Sequence, residues 1–253
     1  MRKIVSIMFV FMSFFFFISN VNAQSFQEEP NDPSTYITYL ESLPEKSKVV
    51  LNDKSENEIQ TFINQFNSLS SDKQQKLVDY LRNPEFIKEI SEAQYLDTTD
   101  KNVSLFNGDV AVSSTVLYIN DSSESQQEIV AKAVGDSYFK YAKHTATTTV
   151  FGLDIVKTSA YIQVEIKQVA PNTSKIVKIL EGGGIVEQNY MPGLDISKSV
   201  NPAFLTSDGT IATQKVIWGW NFVKSGLGLV VGNREQWVQI NKAGVSTGGA
   251  ANL

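Results

Sequence analysis

The spacing of apolar positions changes twice along the chain. From Ile4 to Ile18 they run almost unbroken around Phe14-Phe15-Phe16-Phe17. From Tyr36 to about Leu96 they recur every three or four residues, and beyond Val110 they alternate with polar residues. The second pattern is that of amphipathic helices, the third that of half-buried strands.

The helical stretch carries its own punctuation. Asn31 to Ser34 offers N-cap chemistry ahead of Tyr36, Ile37, Leu40 and Leu43, and Pro44 ends that short helix. Ile59, Phe62, Ile63 and Phe66 form one apolar face over about 55–69. Ser71 with Gln74 has the capping-box spacing ahead of Leu77, Val78 and Leu81. Asn83-Pro84-Glu85 supplies a cap, a first-turn proline and a dipole-favoured acid for a fourth helix with Phe86, Ile87 and Ile90.

Strands are predicted at 138–150, 153–169, 174–181, 184–190, 210–223, 227–232 and 234–241, after a β-rich start from Val110 to Ile119. Residues 124–134 fit helix or strand. Turn signals between the strands include Gly152, Pro171-Asn172, Gly182-Gly183 and Gly232-Asn233. Tight turns between successive strands imply antiparallel pairing. The expected fold class is therefore α+β, a short helical hairpin or bundle at 34–96 followed by an antiparallel β-sandwich at 103–242. A closed barrel is the alternative. Polar residues 24–33 read as a flexible leader, and the Gly/Ala/Ser-rich residues 243–253 as a disordered tail.

Composition sets the compartment. Arg2 and Lys3, the apolar run and a Val21-x-Ala23 exit have the three parts of a secretory signal peptide at 1–23, with cleavage near Ala23. As a helix that run spans ~22 Å, short of the ~30 Å hydrocarbon core a membrane anchor must cross. The expected product is secreted and extracellular. The chain has no cysteine, so neither a lipid-linked leader nor a disulfide applies. Net charge is −5, and loss of Arg2 and Lys3 makes the remainder more acidic. An acidic surface without a basic stripe argues against nucleic acid as a partner.

Hydrolytic chemistry finds little support. The one histidine, His144, lies in a Thr-rich strand, and no Gly-x-Ser-x-Gly elbow accompanies it. One histidine without cysteine makes a poor zinc site, so no metal is expected. Ser137 and Lys140 have the spacing of a serine acylase, with Ser207-Asp208-Gly209 and Lys224-Ser225-Gly226 downstream. That chemistry needs a helix to stack serine over lysine, and here the segment is a strand. Asp154, Glu165, Glu181, Glu187 and Asp195 are the acids from which a glycosidase pair would be drawn, but no pair is marked. Gly226-Leu227-Gly228 misses dinucleotide spacing, and no cofactor is expected.

Two features suggest contact surfaces. Trp218, Trp220 and Phe222 fall on one face of a strand, with Trp237 on a strand that could lie nearby. Turned outward, their rings would bind ligand; turned inward, they are core. The hairpin from about Lys140 to Gln168 alternates along both arms and has an apolar tip, Val150-Phe151-Gly152-Leu153. A β-pore hairpin has that design, and so does a half-buried hairpin of a sandwich. The leading expectation is a secreted, non-enzymatic binding protein using Trp218, Trp220, Phe222 and Trp237. Its ligand is unassigned, with a cell-wall glycan or a membrane surface as the classes considered. A secreted β-pore toxin or antibacterial protein is the first alternative, and a glycan hydrolase using paired carboxylates the second.

Overall fold

A computed structural model describes residues 29–43, 55–94, 102–120, 133–224 and 227–253. The expected signal peptide, residues 24–28 of the leader and residues 124–132 lie outside the described residues.

Among the described residues four α-helices form where the apolar periodicity places them: α1 Pro33–Ser42, α2 Ser55–Asn67, α3 Ser71–Leu81 and α4 Pro84–Gln94. Asp32 caps α1, accepting from the Ser34 and Thr35 amides while Thr35 Oγ1 answers the Asp32 amide. At α3 the local reading changes. Ser70 is its N-cap and makes no side-chain capping bond. Gln74 instead donates its amide to the Phe66 and Leu69 carbonyls, at 3.1 and 3.2 Å, closing the end of α2. A glutamine one turn into a helix serves the orphan acceptors of its neighbour when the linking turn is this short.

Among the described residues ten strands follow: β1 Asn102–Leu105, β2 Val110–Asn120, β3 Ser137–Val150, β4 Leu153–Ala170, β5 Thr173–Asn189, β6 Leu194–Val200, β7 Phe204–Leu205, β8 Ile211–Lys224, β9 Leu227–Asn241 and β10 Ser246–Asn252. All pairings are antiparallel. One sheet has the order β1-β2-β3-β4-β5, the other β10-β9-β8-β6, with β7 also on β8. Among the described residues no ladder joins the two sheets, so the barrel alternative does not hold. Among the described residues each sheet keeps two edges without a further strand.

Side chains bridge the gap between the sheets. Gln236 of β9 donates to the carbonyls of His144 on β3 and Thr158 on β4, at 2.9 and 3.3 Å. Gly184 of β5 comes so close to β8 that a Cβ there would lie 2.7 Å from Val216 Cγ1. The alternation of β3 buries Ala142, His144, Ala146, Thr148 and Val150 toward this interior.

The helices share that interior's apolar cluster. Tyr36, Phe66 and Ile90 are fully buried and belong to the same contiguous core as Ile162, Val216 and Trp218. Polar bonds tie the layers as well. The Tyr36 hydroxyl donates to the Tyr190 carbonyl at 2.9 Å, and Gln94 Nε2 to Thr148 Oγ1 at 2.7 Å. At the surface, Lys76 and the Tyr80 hydroxyl both bind Asp109, at 2.5 and 2.8 Å.

Three sequence expectations are corrected, the first being a turn at Gly232-Asn233, through which β9 runs unbroken from Leu227 to Asn241. The glycines at 182–184 do not break the strand, and β5 runs through them as one element. Interior glycines mark close approach of a neighbour, here Tyr161 on one face and Trp218 on the other. Residues 243–253 are not a disordered tail. Ser246–Asn252 forms β10 on β9, because Gly248 and Gly249 leave space for His144 and Trp237, whose rings lie where a Cβ would.

Candidate functional site

Trp218, Trp220 and Phe222 point inward, at 0, 0 and 1% exposure. The expected aromatic contact surface is therefore corrected: these rings fill the interior and offer a ligand no area. Burial of each stabilises the fold by on the order of 2–3 kcal/mol. Trp237 is half-buried and belongs to the opposite face of its sheet, paired with Lys215 and Gly249. The structure does not bring it to the other three.

His144 is also interior, at 0% exposure. Trp218 Nε1 is a donor only, so the Gln236 atom 2.7 Å from it is the acceptor Oε1. Gln236 Nε2 then donates to His144 Nδ1 at 2.9 Å, which leaves the ring proton on Nε2, facing Ser114 Oγ at 2.5 Å. A hydrolytic serine must give its proton to that nitrogen, so this Ser–His pair has the wrong tautomer for attack. It is moreover sealed from solvent. Ser137 and Lys140 lie on strand β3, three residues apart and so on opposite faces.

The β3–β4 hairpin is central in its sheet, laddered to β2 on one side and β5 on the other. Its Phe151-Gly152 turn has positive φ at both residues, 51° and 82°, which matches the twist of a tight hairpin. Phe151 is unusual in such a position. Its ring stacks on Tyr80 of α3 at 6.3 Å, with the Lys73 ammonium 5.6 Å from its centroid. The apolar tip is thus occupied by a helix. Among the described residues no helix is long and apolar enough to cross a membrane.

Beside this tip lies a cleft of about 520 Å³ between α2 and the β4–β5 pair. Glu58, Thr61, Phe62 and Gln65 line it from α2. Their i, i+3, i+4, i+7 spacing forms a stripe flanking the apolar face of that helix. Opposite stand Asp154 and Lys157 of β4, and Glu187 and Gln188 of β5. Tyr190 closes the floor, its ring 4.5 Å from Phe62. Burial, with the Glu58 charge added, pushes the Tyr190 hydroxyl up to about 12.

A β-bulge aims the key acid. Lys157 pairs with Gln188 and Thr158 with Val186, leaving Glu187 as the extra residue. Such an insertion turns a side chain out of the regular alternation. Glu187 Oε1 thereby accepts from Lys143 Nζ at 2.9 Å and from Ser159 Oγ at 2.6 Å. Asp154 is held by Lys157 at 2.9 Å, and its carbonyl accepts from the Gln188 amide. Of the sequence-nominated acids, Asp154 and Glu187 come together in the cleft. Glu181 bonds the Tyr161 hydroxyl instead, at 3.1 Å, and Glu165 and Asp195 are not among the lining residues. Among the described residues no group of His, Asp or Glu is placed to hold a metal ion.

The sequence reading missed the α2 side of the cleft. Glu58, Thr61 and Gln65 read as the solvated flank of an amphipathic helix, and only the packing of α2 on β4 gives them an opposite wall. No protein-family model, curated protein or solved structure matches the chain.

Proposed function

We propose that the protein is an exported, non-enzymatic binding protein, built as a β-sandwich with its N-terminal helices over one end, and that it holds a saccharide in the cleft between α2 and β4–β5. Export rests on the basic, apolar and small-residue parts of residues 1–23. The observation that carries the ligand class is the lining. Amides at Gln65 and Gln188, a hydroxyl at Thr61 and carboxylates at Asp154 and Glu187 surround an aromatic floor at Tyr190 and Phe62. Convergent donors and acceptors beside the edges of two tilted, largely buried rings suit a ligand that carries hydroxyls and C–H groups together. The ion pairs Asp154–Lys157 and Glu187–Lys143 support binding over catalysis, since they fix both acids in place before a ligand arrives.

Titration calorimetry with N,N′-diacetylchitobiose and maltose, on the native protein and on Gln65→Ala, tests this. Saturable binding that weakens about tenfold in the variant is expected, one lost hydrogen bond to ligand being worth ~1.4 kcal/mol. Absence of saturable binding to either disaccharide overturns the reading.

A glycan hydrolase is the second reading, because Asp154 and Glu187 line one cleft. It predicts shortened products when the protein is incubated with chitin or starch oligomers, and an intact oligomer removes it.

A further inference from the structure

The cleft does not end at Glu187. While lining it, that carboxylate binds Lys143 and Ser159, which belong to the outer face of the first sheet. Ser159 in turn lies 2.8 Å from Thr145 Oγ1. The register sets Thr145 opposite Ser159, Lys143 opposite Tyr161 and Tyr141 opposite Gln163, so these side chains share one face. At the far end Tyr161 and Tyr141 stand side by side, ring centroids 6.1 Å apart and planes 22° from parallel. Both are partly exposed.

Tyr161 is seated by a glycine. A Cβ on Gly183 would lie 2.8 Å from the Tyr161 hydroxyl and 3.0 and 3.1 Å from its ring atoms. The hydroxyl end of the ring therefore sits over the bare backbone of β5, its hydroxyl bonded to Glu181. Partly exposed and near-parallel to Tyr141, the ring belongs to an aromatic pair of the kind on which a sugar can stack. From Lys157 at the cleft to Tyr161 is four residues of β4, ~13 Å at ~3.3 Å per residue. That span exceeds one sugar ring and fits a short chain of them.

We propose that the polar track from Glu187 over Lys143 to the Tyr161–Tyr141 pair, with the buried Ser159 holding Glu187 from beneath, is the continuation of the saccharide cleft, and that the ligand is an oligosaccharide whose distal unit stacks on Tyr161. This rests on the saccharide reading of the cleft. Continuity through Glu187 supports it, as do the partly exposed Glu187, Lys143 and Thr145 on this face, whose carboxylate, ammonium and hydroxyl hydrogen-bond a polyhydroxylated chain without requiring charge on it.

The test is calorimetry on the full protein with β-1,4-linked N-acetylglucosamine oligomers and α-1,4-linked glucose oligomers of two to six units. Affinity is expected to rise at least tenfold between the dimer and the longer chains of one series. Tyr161→Ala should abolish that gain and leave dimer binding unchanged, while Tyr161→Phe keeps the gain. Lys143→Ala, which removes the ammonium between Glu187 and the rings, should reduce it. Dimer binding with no dependence on length, or a gain that survives Tyr161→Ala, overturns the extension and leaves the cleft standing. Failure of every length in both series overturns both.

Discussion

Gln236 shows how much one amide can organise. Its oxygen accepts from Trp218, and its nitrogen donates to the His144 ring and to carbonyls on β3 and β4. Every partner is buried, so removing the amide strands several groups at once, and an unpaired buried donor costs on the order of 1–3 kcal/mol. Gln236→Ala is expected to lower unfolding stability by about 3 kcal/mol, read from the midpoint of urea denaturation at unchanged slope. A loss under 1 kcal/mol would show that water replaces the amide. None of this was legible in the sequence. His144 announced itself by being the one histidine, but the glutamine that fixes its tautomer lies 92 residues away. Likewise the inward turn of Trp218 was one of two orientations that alternation alone leaves equal, because period two states which residues share a face and not which face is wet.

At the level of elements, periodicity was a reliable guide and glycine was not. The β3 and β4 limits at 137–150 and 153–170 match the expected 138–150 and 153–169 almost residue for residue, since a two-residue turn leaves no slack. Gly182-Gly183 and Gly248-Gly249 misled for one reason. A glycine chosen for its missing side chain looks the same in sequence as one chosen for a turn, and only the ring packed on it tells them apart. The capping spacing at Ser71–Gln74 misled differently, by drawing Gln74 to the end of the preceding helix. Gln74→Ala should fray α2 at its C-terminus and cost about 1 kcal/mol. Amide hydrogen exchange would register this as faster exchange confined to the last turn of α2, and protection unchanged there would refute the assignment.

Over the whole molecule, tyrosines from different layers titrate together. Burial raises Tyr39 of α1, Tyr141 of the outer face and Tyr190 of the cleft to about 12, and Tyr36 well above its ordinary value. The fold favours the protonated phenol, so the stability each contributes is fully present below about 10, the unfolded value, and is lost as pH rises toward 12. Stability should therefore be level through neutral pH and fall steeply across that window. Tyrosinate absorbance should rise with the loss of tryptophan burial. Phenols that ionise near 10 in the folded protein would contradict it.

The order of strands in the first sheet also sets a timetable. β1 to β5 pair strictly with their sequence neighbours, so each ladder can zip as its hairpin emerges. The face that ends up against Trp218 and Gln236 is then complete well before the segment that covers it has been made. Between those two moments Ile162, Val164 and Ile166 stand open to any passing chain. Under the export proposed above the chain would emerge from its N-terminus, so that interval is when aggregation competes with folding, and the speed at which β8 to β10 arrive decides the yield.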